Sequence, residues 1–160
     1  MQGLIAQIET QSKETLTQWV LDEATNYLLP LWHRTFPEDM RPDLAIQGAR
    51  DWLAGKVKLT QVKPLILQCH AAAREAEGSL IAQGAARAIG QCVSTIHSPR
   101  HCIGLPLYGA LALARDVLGP DADWRALEEA SEKICEGMLD SLKQHSVEEE
   151  PHPAKIQWHC

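Results

Sequence analysis

An all-α chain of about six helices is what this sequence predicts. Three observations carry that reading. Alanine and leucine each occur 20 times in 160 residues, a quarter of the chain, and both favour helix over strand. Apolar residues recur at helical spacing in successive segments. No segment shows sustained apolar–polar alternation, so no strand is expected. A chain of this length can bury one core without disulfides or a structural metal. Apolar residues make up 45% and charged residues 22%, which fits a globular protein and not a disordered one.

The elements follow in order. Residues 1–10 are mildly apolar and form a short leading helix or an arm. From 12 to 32, Leu16, Trp19, Val20, Ala24, Tyr27, Leu28 and Leu31 mark one apolar face, which Pro30 kinks or ends. Thr35, Phe36, Pro37, Glu38 and Asp39 read as a loop. A second helix starts near Arg41–Pro42 with Asp39 or Met40 at its cap, and Gly55 stops it. Thr60 is placed as the cap of a third helix, with Pro64 in its first turns and Val62, Leu65, Ile66, Cys69, Ala73 and Ala76 inward. Ser79 caps a fourth, with Ala82, Ala85, Ala86, Ile89, Val93 and Ile96 on one stripe. The alanines of the third and fourth helices predict a closely packed central pair. A fifth helix runs from Ser98–Pro99 to about Leu118, with Ile103, Leu107, Leu111 and Ala114 inward, its start bent by Gly104, Pro106 and Gly109. Asp121 is placed as the cap of a sixth, with Trp124, Leu127, Ile134, Met138 and Leu142 inward. The helical domain is drawn at 1–146 and a tail at 147–160, whose Ile156 and Trp158 can dock back onto the body.

Charge is distributed unevenly. Residues 1–100 balance at ten basic and ten acidic side chains, so the net charge of −6 belongs entirely to the last 60 residues. That balance argues against nucleic-acid binding, which needs a basic surface, and favours a basic partner. The longest uncharged stretch runs only from 102 to 114, too short for a membrane span. The first residues lack a basic region and an apolar run, so no signal peptide and a cytosolic location are expected. Five cysteines, at 69, 92, 102, 135 and 160, show no C-x-x-C spacing and read as free thiols, three of them among apolar helical neighbours.

Several clusters could carry chemistry. His97 and His101 lie four apart and could face one metal ion, although Ser98 stands where a zinc-protease helix has glutamate, and Pro99 interrupts the helix. The plainer reading is a pair of helix-end histidines satisfied by carbonyls. His152, His159 and Cys160 are ligand types in what reads as a solvated tail. Arg50, Arg74 and Arg87 sit in apolar or alanine-rich helices, either as interhelical ion pairs or around a small polar pocket. Arg50 shares a face with Asp43 and Gln47; Arg74 adjoins Glu75 and shares one with His70 and Glu77. Glu128, Glu132, Glu136 and Asp140 recur every fourth residue as an acidic ridge, only partly offset by Glu129–Lys133 and Asp140–Lys143. The ridge is either a solvated face or a docking surface for a basic partner. Nucleophile elbows, phosphate loops, dinucleotide glycine patterns and catalytic triad spacings do not occur, and no cofactor is expected.

Three runs carry a family resemblance. The first joins Arg41-Pro42 and Ala45-Ile46 to Ala49-Arg50-Asp51-Trp52 and Gly55. The second is Ala71-Ala72-Ala73-Arg74-Glu75-Ala76. The third leads from Ala85-Ala86-Arg87-Ala88 and Gly90 to Thr95-Ile96-His97, His101 and Tyr108. Together, over residues 28–114, they resemble the immunity protein family of bacterial polymorphic toxin systems. That resemblance implies a mostly helical protein that binds and blocks a cognate toxin and catalyses nothing. Its motif positions are Arg41, Arg50, Trp52, Arg74, Arg87, His97, His101 and Tyr108. The chain departs from the family pattern at Gln91, where histidine often follows the glycine, and at Pro99. Two other readings stand beside it: a small helical enzyme with a metal held by His97, His101 and a carboxylate, and a general helical interaction scaffold.

Overall fold

A computed structural model describes residues 1–158. Its helices are α1 (Gln2–Ile8), α2 (Lys13–Glu23), α3 (Leu29–Thr35), α4 (Arg41–Leu53), α5 (Leu59–Glu75), α6 (Leu80–Ser94), α7 (Ala110–Leu118) and α8 (Trp124–His145). Among the described residues there is no strand, and no helix is long and apolar enough to cross a membrane. His159 and Cys160 lie outside the described residues.

Two prolines reshape the expected pattern in the same way. A wide π-helical turn, Ala24–Leu28, joins α2 to α3 and closes with the Leu29 N–H on the Ala24 carbonyl. It accommodates Pro30, whose ring and missing N–H an ordinary helical turn tolerates poorly. The helix therefore runs on to Thr35 instead of ending, and the added residue shifts its phase. Leu28, Leu31 and Trp32 are buried, whereas Tyr27, expected inward, is exposed. Ahead of α7, a short 3-10 helix (Pro99–Ile103) leads into a second π turn, Leu105–Gly109, which holds Pro106. The same phase change buries Leu105 and turns Leu107 out, against the expected inward Leu107.

Most helix starts have visible partners. The Ser12 hydroxyl accepts the Thr15 N–H at 3.2 Å, and the Ser79 hydroxyl accepts that of Ala82 at 3.3 Å. At α4 the Asp39 carboxylate accepts the Arg41 N–H at 3.1 Å. Two expected caps are displaced. Thr60 lies inside α5, which opens one residue earlier with the Lys58 N–H on Gln61 Oε1. At α8 it is Asp123, not Asp121, that accepts the Arg125 and Ala126 N–H groups. Trp124 is thereby the first residue of α8, at the outer end of the apolar stripe, and is exposed instead of inward.

The centre is α6, enclosed by α2, α3, α4, α5 and α7. Small side chains permit this: Ala82, Ala85, Ala86, Ala88 and Gly90 are all buried. A Cβ at Gly84 would stand 3.1 Å from that of Ala112 on α7. Alanines of α5 and α6 (Ala72, Ala73, Ala76, Ala82, Ala86) form a small second core beneath Trp32, which packs on Phe36 at a ring spacing of 4.6 Å. The tail is docked. Gln11 exchanges hydrogen bonds with Val147 through its side-chain amide, and its carbonyl accepts the Ala154 N–H at 2.8 Å. Ile156 and Trp158 pack against the main core.

A polar strut ties α2, α4 and α8. Asp22 accepts from Arg50 at 3.0 Å and from His145 at 2.8 Å, while Ser141 donates to Glu23 at 2.5 Å. Burial alone would lower the His145 pKa, but the Ser141 carbonyl and the Asp22 carboxylate outweigh it and hold the imidazole above its ordinary 6.5. Burial pushes Asp22 up; His145, Arg50 and Gln18 outweigh that and hold it below the usual carboxylate range.

Two predictions follow from this packing. At Gly104 an added Cβ would lie 2.2 Å from Gln91 Cβ, whereas at Gly137, in the exposed middle of α8, it meets nothing within 4 Å. Gly104→Ala is expected to cost about 1–3 kcal/mol by overpacking, and Gly137→Ala to gain up to about 1 kcal/mol of helix propensity; urea unfolding midpoints should therefore move in opposite directions. For the strut, the raised His145 pKa gives stability that is complete below the unfolded value and fades as pH rises through the folded one. The lowered Asp22 pKa gives stability that is lost as pH falls through its folded value. His145→Gln should therefore cost on the order of 1 kcal/mol between about pH 4.5 and 6. Urea titrations should show the gap from the unmodified chain narrowing as pH rises through the folded His145 value.

Candidate functional site

The residues singled out in the sequence do not gather into one pocket. Arg41, at the start of α4, donates to Asp39 at 2.7 Å and to Glu75, at the end of α5, at 2.6 Å. Both carboxylates hold the guanidinium firmly charged. Arg50 turns to Asp22 and to the Thr25 hydroxyl, not to its own-face neighbours; Asp43 instead binds His33 at 2.8 Å, and Gln47 binds Asp51. Trp52 packs on the core and lies under the Lys13 ammonium, 5.0 Å from the ring centroid. Arg74 and Arg87 are exposed and make no hydrogen bond or ion pair among the described residues.

A second cluster lies between α5, α6 and the 3-10 helix. His101 donates through Nδ1 to Gln91 Oε1 at 2.8 Å, so its partner is a side-chain amide rather than a backbone carbonyl. Two glycines leave the space it needs. The His70 ring lies where a Gly90 Cβ would be, 2.5 Å from Cε1, and Gln91 lies against Gly104. Burial, aided by Arg74, lowers the His70 pKa; burial, with Arg100, His97 and His70, lowers that of His101. Both rings are therefore neutral at neutral pH. His97 is exposed and shares with His101 a shallow cleft of about 180 Å³ bounded by Lys63 and Leu67. Among the described residues, no group of three or more His, Cys, Asp or Glu side chains is placed to hold a metal ion. The sequence reading missed the His101–Gln91 and His70–Gly90 contacts. Their trace in the sequence is Gly90 and Gly104, each taking the place of a side chain beside a polar group.

The cysteines offer no ready nucleophile. Cys69, Cys92, Cys102 and Cys135 are buried free thiols. Burial pushes Cys69 and Cys102 up to about 12 and Cys92 well above 9. A thiol held protonated is a poor nucleophile and a poor metal ligand.

The acidic ridge runs along the outer face of α8, with Glu128, Glu132, Glu136 and Asp140 all exposed. Trp124 Nε1 donates to Glu128 at 2.9 Å, and Asp140 pairs with Lys143 at 3.8 Å. Glu129 pairs with Arg125, four residues before it, and not with Lys133. Glu132 and Glu136 make no hydrogen bond or ion pair among the described residues. A groove lies on each side of the helix. One, of about 590 Å³, is bounded by Pro106, Leu107, Leu111 and Trp124, with Glu128, Glu129 and Glu132 along it. Tyr108, beside Leu107, is also exposed. The other, of about 600 Å³, is bounded by Tyr27, Val117, Ile134 and Asp140 and includes the strut residues Asp22, Glu23 and His145.

No curated protein and no solved structure matches the chain. A family model does, from residue 6 to residue 144. The resemblance read from sequence motifs stopped at residue 114; the match reaches through nearly all of α8, so the acidic ridge lies within the region the family shares. With only the first five and the last sixteen residues outside that match, the chain belongs to the family described as Imm-5 like putative immunity protein.

Proposed function

We propose that the chain binds a cognate protein toxin and neutralises it by occlusion, without catalysing a reaction. The setting is a bacterial polymorphic toxin system, and the site of action is the cytoplasm. The toxin presents a basic surface. One observation carries the reading. α8 keeps Glu128, Glu132 and Glu136 on one exposed face, and none of the three is paired with a cation among the described residues. Like charges four apart weaken a helix, so such a row stands against the helix's own preference. The same row creates a field that draws in a positively charged partner and speeds its encounter. Family membership supplies the toxin as the class of partner.

The experiment is co-expression of the chain with the product of the gene beside its own. Growth should be restored by the chain, and the two proteins should co-purify. A toxic neighbour that the chain neither binds nor restrains would overturn the reading. Reversing charge with Glu132→Lys and Glu136→Lys should slow association about tenfold at low salt and flatten its dependence on ionic strength. Stopped-flow mixing measures both, and unchanged kinetics would remove the ridge from the mechanism.

A further inference from the structure

The two grooves beside α8 differ in one respect that decides between them. In the Tyr27–Val117 groove the charged groups are engaged with one another. Asp22 holds Arg50 and His145, Glu23 takes the Ser141 hydroxyl, and Asp116 is paired with Arg34. In the Trp124 groove three carboxylates face one guanidinium, already taken by Glu129, and Met1 lines the groove with them, its ammonium acting on nearby Cys135. Among the described residues Glu132 has no partner, and Glu128 holds only the Trp124 indole N–H. The floor is apolar: Pro106 is buried, and Leu111 lies beside it. Leu107 is 52% exposed and Trp124 57% exposed. Large apolar groups left this open, beside unneutralised charge, mark an interaction surface more than a solvated one.

Resting on the toxin-binding reading above, we infer that this groove seats a cationic segment of the partner protein that carries an apolar side chain. The apolar side chain lies between Leu107, Leu111 and Trp124. Lysine or arginine side chains on either side of it reach Glu128 and Glu132. Tryptophan supplies a rigid anchor of large area, and the flanking carboxylates reject an acidic competitor. The distinction from the ridge alone is that binding here needs the apolar contact as well as the charge.

The test uses the full chain, labelled with ¹⁵N, and two synthetic amphipathic peptides of equal length. One is built of lysine and leucine, the other of glutamate and leucine. The lysine peptide should shift the Trp124 indole resonance and the amides of residues 107–111 and 128–132. Trp124→Ala and Glu132→Lys should each weaken it about tenfold or more. Tyr27→Ala, in the other groove, should leave it unchanged. Equal binding of the glutamate peptide, or shifts centred on Tyr27 and Val117, would overturn the inference. So would a self-associated species in light scattering that Trp124→Ala dissolves, since the occupant would then be a second copy of the chain.

The co-expression assay separates the two claims. Protection that survives Trp124→Ala undiminished removes this groove from the interface while the immunity role stands. A lysine peptide seated at Trp124, in a chain that restrains no toxin, removes the immunity role and leaves the groove a cationic-peptide site.

Discussion

The close approach of neighbouring helices to α6 is the constraint on which the rest of the molecule depends. Five helices pack around it, and only small side chains on α6 allow that. Gly84 faces Ala112 on α7, and Gly90 lies beneath the His70 ring of α5. Alanines contribute little apolar area individually, so the burial comes from what the neighbours bring: Trp19, Leu28, Trp32 and Leu105. A helix enclosed on so many sides exposes little beyond Leu80 and Arg87. Polar groups on it are satisfied locally, as when Ser94 donates to the Gly90 carbonyl at 2.7 Å. The recognition surface proposed above accordingly lies on an outer element, α8.

The charges divide along the same line. Where helices meet, partly buried charges are paired across elements: Arg41 with Asp39 and the exposed Glu75, His33 with Asp43, Asp22 with Arg50 and His145. Such pairs fix the register of packed helices because each partner accepts only a narrow geometry. On α8, Glu128, Glu132 and Glu136 face solvent with no paired cation among the described residues, while Glu129 and Asp140 pair within the helix. A charge that leaves water gains most from a partner, and one that stays in water needs none; Arg115, whose Nε is buried without a hydrogen bond, departs from this. The arginines selected from the sequence sort by this rule too. Arg41 and Arg50, partly buried, are held; Arg74 and Arg87 project into solvent.

Helix content was legible because it follows from alanine, leucine and a 3.6-residue period, which are local properties. The starts at Ser12 and Ser79 and the stop at Gly55, with φ of 72°, were legible for the same reason. What failed was phase. Tyr27 and Leu107 were assigned inward by counting along an ideal helix, and a π turn beside each shifts the count. The prolines announced a disturbance at both places without saying whether the chain would break, kink or widen. Trp124 failed through its cap: moving the start from Asp121 to Asp123 places the tryptophan at the first helical position. The His101–Gln91 contact was not legible, because it depends on how far α6 stands from the 3-10 helix, a distance that local pattern does not encode.

α8 shows why the acidic face is compatible with a stable helix. Its three like-charge steps each cost roughly 0.2–0.5 kcal/mol, so about 1 kcal/mol in all. Its opposite stripe buries Leu127, Cys135, Met138 and Leu142. Burying a side chain of the size of leucine or methionine contributes about 1.5–3 kcal/mol, so the stripe outweighs the ridge several times over. The outer face of α8 is thus released from any duty to hold the helix together. A sequence can place charge there for another purpose without endangering the fold, and the same holds for an exposed tryptophan at the helix start. This separation of the packed stripe from the free face is what would let one helix serve the core and, as proposed, meet a partner at once.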